Sequence, residues 1–186
     1  FFLEILRQCK NTGLLNNNSA MTDSTLLDAN ALLDSLTSKE KDKITPPIEK
    51  GRLPLSNTTH ISKTDPEATL AFKSGTPRTL KYKAHVTSDS ANRIILAIKI
   101  TTGAVHDSVP YLEQLDYVKD KICYNINETI ADRAYGSGQI ISSLKDRKVT
   151  TYIPLFSSRS GSSENSIIPG FEYDELNNYY ICPQKN

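Results

Sequence analysis

Residues 129–155, TIADRAYGSGQIISSLKDRKVTTYIPL, decide the fold. They read as a short strand (Thr129–Ala131), an acid at its end (Asp132), a Gly-containing turn, an amphipathic helix and a second strand (Val149–Pro154). The helix opens near Ser137 and repeats Ile140, Ile141 and Leu144 at helical spacing. Lys145, Arg147 and Lys148 follow at its end, where the helix dipole favours cations. The whole is a βαβ unit. An acid at the C-terminal tip of such a strand sits where α/β sheets place their chemistry. Gly136-Ser-Gly138 lacks the Lys-Ser/Thr of a phosphate-binding loop, so its glycines are read as permitting a tight turn.

Working outward, a helix is expected after Asp107 or Ser108, with Pro110 near its start and an apolar stripe of Val109, Leu112, Leu115, Val118 and Ile122. Before it, Lys81–Thr87 alternates. Tyr82, Ala84 and Val86 lie on one face, and Lys81, Lys83, His85 and Thr87 lie on the other, which is expected to be solvated. Ile94–Ile100 is nearly continuous apolar sequence, the more buried partner of a hairpin. Further back are a first strand, Ala20–Leu27, and a helix over Phe1–Lys10. Asp34–Thr64 is rich in Ser, Thr, Lys and Pro, carries the charge run Lys39–Lys43 and the pair Pro46-Pro47, and reads as a long surface insertion. Past residue 155 come a Ser-rich loop, Ser157–Ser166, and a second hairpin in which Phe171, Tyr173, Tyr179 and Ile181 bracket Asp174–Asn178. Antiparallel strands first and crossovers later predict an α/β fold with a mixed sheet. The expected division is 1–33 (helix and first strand), 34–64 (polar insertion) and 65–186 (the remainder).

The chain has 186 residues, 38% of them hydrophobic, and a net charge of +1, so it can bury a core but announces no strong basic field. No apolar run approaches the roughly 20 residues that span a bilayer. Cys9, Cys123 and Cys182 form no CxxC and are odd in number, which predicts free thiols and a cytoplasmic protein.

A second acid, Asp23 in Met21-Thr-Asp-Ser-Thr-Leu-Leu-Asp-Ala-Asn30, has a setting like that of Asp132. Two strand-borne aspartates suggest a carboxylate site for Mg²⁺ or Mn²⁺, hard ions that prefer oxygen. Two such ions roughly 3.5–4 Å apart can activate an attacking hydroxyl and stabilise the leaving oxygen of a phosphodiester. A third acid normally completes the pair. Asp132 also reads as a helix or turn cap, and Asp23 as turn chemistry. Arg78, Lys81, Lys83 and His85 offer phosphate contacts, though an ordinary solvated strand face is the plainer reading. Asp65 reads as a turn acid and Asp107 as a helix cap.

The ordered motifs resemble those of a DDE-type transposase of bacterial insertion sequences, with a ribonuclease-H-like catalytic domain. Thr22–Asn30 resembles the first-aspartate strand. Thr64–Ala68 followed by Leu80–His85, and then Gly103–Asp107, resemble the next blocks. Ala131-Asp-Arg-Ala-Tyr-Gly-Ser137 resembles the second-aspartate motif, and Tyr152-Ile-Pro154 with the Phe171–Pro183 hairpin continues the match. The resemblance implies a ribonuclease-H-like mixed sheet flanked by helices, with a long insertion after the first strand and a C-terminal β-hairpin. It implies Asp23 and Asp132 as catalytic metal ligands, two Mg²⁺ or Mn²⁺ ions in the complete enzyme, DNA (element ends and target) as partner, and a homodimer in the transposition complex. Its third acid is a Glu on a helix beyond the second hairpin. Glu164, Glu172 and Glu175 sit in loop or hairpin context, and none matches it. Lys81 stands where a Gly often precedes Tyr-Lys, and Leu32-Leu33 replace a small polar residue. The expectation is therefore a fragment of a transposase, inactive by itself. An inactive remnant and another metal-dependent nuclease of the same fold are the alternatives.

Overall fold

The computed structural model describes residues 1–16, 18–39, 55–154 and 171–182. In chain order the elements are α1 (Phe2–Asn11), β1 (Ser19–Asp28), β2 (Leu36–Ser38), β3 (His60–Ser62), β4 (Thr69–Ala71), β5 (Thr79–Asp89), β6 (Ile95–Thr102), α2 (Tyr111–Ile122), β7 (Glu128–Ala131), α3 (Gly138–Asp146), β8 (Thr150–Tyr152), β9 (Glu172–Asp174) and β10 (Tyr179–Ile181). The main sheet runs β4-β5-β1-β7-β8, with β6 also paired to β5. β5 is antiparallel to β1, β4 and β6. β7 is parallel to both β1 and β8. Hairpin-linked strands on one side of β1 and crossover-linked strands on the other make the expected ribonuclease-H-like mixed sheet.

Two compact units are present, Phe1–Phe156 and Ser157–Asn186. The second contains the expected C-terminal hairpin, in which β9 and β10 pair antiparallel and the rings of Tyr173 and Tyr180 lie 4.9 Å apart. Its turn is closed by Asp174, whose Oδ1 accepts from the backbone N–H groups of Leu176 and Asn177. In the first unit, the 34–64 segment is more structured at its margins than its composition predicts. β2 and β3 pair antiparallel across it, with Thr37 opposite Ile61. The Pro46-Pro47 pair, most of the Lys39–Lys43 run and the Ser157–Ser166 loop lie outside the described residues.

α2 covers one face of the sheet and α3 extends that layer. Tyr111, Leu115, Ala131, Tyr135, Ile140 and Leu144 form one core cluster. Leu6, Leu96, Ala97, Val118, Ile122 and Tyr124 form another beneath α1 and α2. The face of β5 expected in solvent is the one that α2 covers. His85 and Thr87 are 1% and 0% exposed. Hydrogen bonding makes this burial tolerable. Thr87 shares a 2.9 Å hydroxyl contact with Thr22, Tyr111 with Thr129 at 2.7 Å, and Gln114 Nε2 donates to the carbonyls of His85 and Ala97. The opposite face carries Ile98 and Ile100, both about half exposed, where the apolar run had predicted burial.

Asp89 is fully buried where β5 ends. Its Oδ1 accepts from the Asn16 N–H (2.9 Å) and the Tyr124 hydroxyl (2.7 Å), and its Oδ2 from the N–H groups of Ala91 and Asn92. One carboxylate therefore ties the segment before β1, the loop after α2 and the β5–β6 turn together.

Gly103 marks the tightest backbone approach. A Cβ there would sit 2.7 Å from the Lys81 carbonyl oxygen and 3.0 Å from the Ala71 Cβ. Because the nearest atom belongs to backbone, Gly103→Ala is expected to cost about 1–3 kcal/mol in overpacking. Urea unfolding checks this, and an unchanged midpoint would contradict the fit.

Candidate functional site

The site begins with the register of two parallel strands. Ser19 pairs with Glu128, Ala20 with Thr129, Met21 with Ile130 and Thr22 with Ala131. One position past this last pair stand Asp23 on β1 and Asp132 just after β7, at the same edge of a sheet whose neighbouring strands lie roughly 4.8 Å apart. Asp132 is still extended (φ −78°, ψ 179°) before the chain turns into the short 3-10 segment Arg133–Tyr135. Both aspartates are exposed. Thr22 is buried on the helix-covered face, so alternation turns Asp23 to the other face, in one cross-strand row with Val86 and Ile98.

Each carboxylate is held at one oxygen. Asp23 Oδ1 accepts from the Ser24 N–H at 2.7 Å, and Asp132 Oδ1 from the Ala134 N–H at 2.8 Å. Asp132 therefore is a cap, as its position suggested. The second oxygen of each accepts no hydrogen bond among the described residues. Two adjacent, exposed carboxylates with free oxygens fit Mg²⁺ or Mn²⁺, which take oxygen ligands and keep several waters. Among the described residues no group of three His, Cys, Asp or Glu side chains is arranged to hold a metal.

A third carboxylate lies close by, but it is already engaged. α2 starts at Tyr111, its N-cap position is Pro110, and no side chain caps it. Asp107 is therefore not the expected helix cap. Its Oδ1 accepts from the Ser24 hydroxyl at 2.8 Å and pairs with Lys83 Nζ at 2.8 Å. Burial pushes Asp107 up, but the hydrogen bonds from Lys83 and Ser24 and the charges of Lys83 and His85 outweigh it and hold the carboxyl below its ordinary value. Lys83 also donates to the Val105 carbonyl at 2.7 Å, Lys81 pairs with Asp28, and Arg78 donates to the Leu55 carbonyl. The two lysines of β5 are thus engaged by partners within the chain, while Arg78, just before the strand, stays exposed. Asp65 accepts from the Tyr82 hydroxyl at 2.6 Å and from the Ala68 N–H, as a turn acid would.

Tyr135, three residues after Asp132, is 1% exposed, and its hydroxyl makes no well-formed hydrogen bond. Burial first, then the charge of Asp107, with smaller contributions from Asp23 and Asp132, raise its pKa well above the ordinary range, against a lowering by Ser24. The three acids thus converge electrostatically on one neutral hydroxyl. Motif order singled out Asp132 within Asp-Arg-Ala-Tyr, but it assigned nothing to Tyr135 or Ser24. A separate cleft of about 510 Å³, lined by Asp116, Lys119, Arg147 and Lys148 among others, shares no residue with this site.

His85 Nε2 lies 2.9 Å from the Thr101 hydroxyl, and its Nδ1 is buried without a partner. Burial lowers its pKa. Asp107 opposes this in part, and Lys83 adds to it. The unfolded chain takes up the His85 proton as pH falls through about 6.5, whereas the folded chain takes it up only at lower pH, so stability is lost on acidification through that window. Urea midpoints should fall between pH 7.5 and pH 5, at most about 1.4 kcal/mol per pH unit from this group. His85→Gln should remove most of that slope, and an unchanged slope would contradict a neutral buried imidazole.

The sequence model of the transposase DDE domain family matches residues 56–181, more than half of the chain. The chain belongs to this family. Asp132 falls inside the matched segment and Asp23 before it. No curated protein matches. Three solved structures resemble the fold weakly, each with a TM-score of 0.38: the Mos1 transposase paired-end complex with the left transposon end (12% identity, covering 81% of this chain and 39% of that one), the Mos1 strand transfer complex (13%, 81% and 38%) and the Mos1 mariner paired-end complex with Mn (14%, 84% and 41%). The chain spans about two fifths of the length of those proteins. Among the described residues no helix is long and apolar enough to cross a membrane.

Proposed function

We propose that this chain supplies the metal-holding part of a DNA transposase, acting in phosphodiester hydrolysis and strand transfer. The observation that supports the reading is the parallel register that pairs Thr22 with Ala131, one position before Asp23 and Asp132 on the two strands. Family membership supports DNA transposition as the process.

Asp23 and Asp132 would hold Mg²⁺ or Mn²⁺ through their free oxygens, two ions in the complete enzyme. Bound there, the metal would supply activation of a hydroxyl and stabilisation of the leaving oxygen at a phosphodiester. The protein's own contribution is orientation. Backbone N–H groups fix one oxygen of each aspartate, and the turn that follows β7 keeps Asp132 at the strand tip. Tyr135 stays protonated beneath the acids and adds no charge. The partners would be DNA, both element ends and target, with two copies of the protein in the complex. Residues 34–64 would form an insertion between 1–33 and 65–186.

In the protein that carries the complete catalytic frame, Asp23→Ala and Asp132→Ala should each reduce metal-dependent cleavage at an element end by more than the about 10–100-fold typical of outer-shell changes. A gel assay of end cleavage and strand joining checks this. Cleavage retained in Asp132→Ala would overturn the assignment. Cleavage by the unaltered protein without joining would favour a nuclease of the same fold over a transposase.

A further inference from the structure

Between β1 and the loop before α2 lies a polar cluster that the ligand assignment does not use. Ser24 follows Asp23 directly. Its N–H holds Asp23 Oδ1, and its hydroxyl donates to Asp107 Oδ1. Asp107 pairs with Lys83 on β5, and Lys83 Nζ is held in turn by the Val105 carbonyl. The Lys83 and Asp107 side chains are only 14% and 22% exposed, so the pair is largely shielded from solvent. Lys83 lies in register with Leu26, two residues past Ser24 on β1. Ser24 is thus gripped through its side chain while its backbone N–H grips Asp23.

We propose, resting on the reading of Asp23 and Asp132 as metal ligands, that Ser24, Asp107 and Lys83 are positioning residues that set the Asp23 carboxylate for the metal. Asp107 is assigned a positioning role and not that of a third ligand, because its Oδ1 is taken by both Ser24 and Lys83 and its charge is already paired with the Lys83 ammonium. The role is that of an outer partner that orients a metal ligand, whose loss typically weakens metal binding by about 10–100-fold. Lys83 is the informative member. If it acted only through its charge, it would repel a nearby divalent cation, and removing it would tighten binding. If it holds Asp107, and through it Ser24, removing it weakens binding. The two roles predict opposite signs.

The test is Mn²⁺ titration of the chain by calorimetry, with folding followed by circular dichroism and urea unfolding. The unaltered chain is expected to bind Mn²⁺, and Asp23→Ala to lose that binding. Ser24→Ala and Lys83→Met are expected to weaken it about tenfold each while remaining folded. Unchanged or tighter binding in Lys83→Met, with Asp23→Ala still defective, would overturn the positioning role and leave the ligand assignment standing. If Lys83→Met fails to fold, Ser24→Ala decides, because it changes no charge; wild-type affinity there overturns the role. Mn²⁺ binding that is absent from the unaltered chain, or retained in Asp23→Ala, would overturn the ligand assignment and the positioning role with it.

Discussion

The parallel pairing of β1 with β7 is the constraint on which the rest of the structure depends. A one-residue slip in a β ladder turns every side chain to the other face. Here that would bring the buried hydroxyls of Thr22 and Thr129 out of the core and separate Asp23 from Asp132. The register is specified from the inside. Thr129 meets Tyr111 of α2 and the Ala20 carbonyl, Thr22 meets Thr87 of β5, and the Tyr124 hydroxyl reaches the Ser19 carbonyl at the start of β1. Each contact joins β1 or β7 to a different neighbour, so the ladder cannot shift without breaking several at once.

A polar inner face is an unusual way to build a core, and it has a cost. Each satisfied hydrogen bond contributes only about 1 kcal/mol net, whereas a buried polar atom without a partner costs about 1–3 kcal/mol. Three such atoms are present among the described residues: His85 Nδ1, Gln114 Oε1 and the Tyr135 hydroxyl. His85 and Tyr135 both lie within the electrostatic reach of Asp107. Buried polar groups left unpaired beside a cluster of acids mark the place where stability has been given up, and functional sites are where such concessions concentrate. Asp89 shows the opposite arrangement, a buried carboxylate whose two oxygens are fully engaged by segments that it locks together.

Much of this was legible in the sequence because the signals were local. The βαβ unit of residues 129–155 is present as β7, α3 and β8, and Ser137 accepts from the Ile140 N–H at the helix start. β1 and the C-terminal hairpin also lie where their patterns placed them. What the chain did not disclose depends on distant partners. His85 and Lys83 look solvated in an alternating strand, and only the packing of α2 and the acid at position 107 makes that face an interior one. Asp107 resembles a helix cap until Ser24, 83 positions earlier, is brought beside it. Ile98 and Ile100 read as buried because an apolar run carries no mark of which face is covered. The pairing of β2 with β3 across a polar segment was hidden for the same reason: their register belongs to the fold and not to either strand. Asp23 and Asp132 were paired by motif order alone. The sheet adds the reason two distant residues can meet, which is that parallel neighbours deliver their C-terminal ends to the same edge.

The most direct measurement is a crystal of this chain soaked in Mn²⁺, with anomalous scattering recorded at the manganese edge. A peak is expected between the carboxylates of Asp23 and Asp132, bound through the oxygens that accept no backbone hydrogen bond, with Asp107 still paired to Lys83. A peak elsewhere, or a manganese ion coordinated by Asp107 with the Lys83 pair broken, would contradict it.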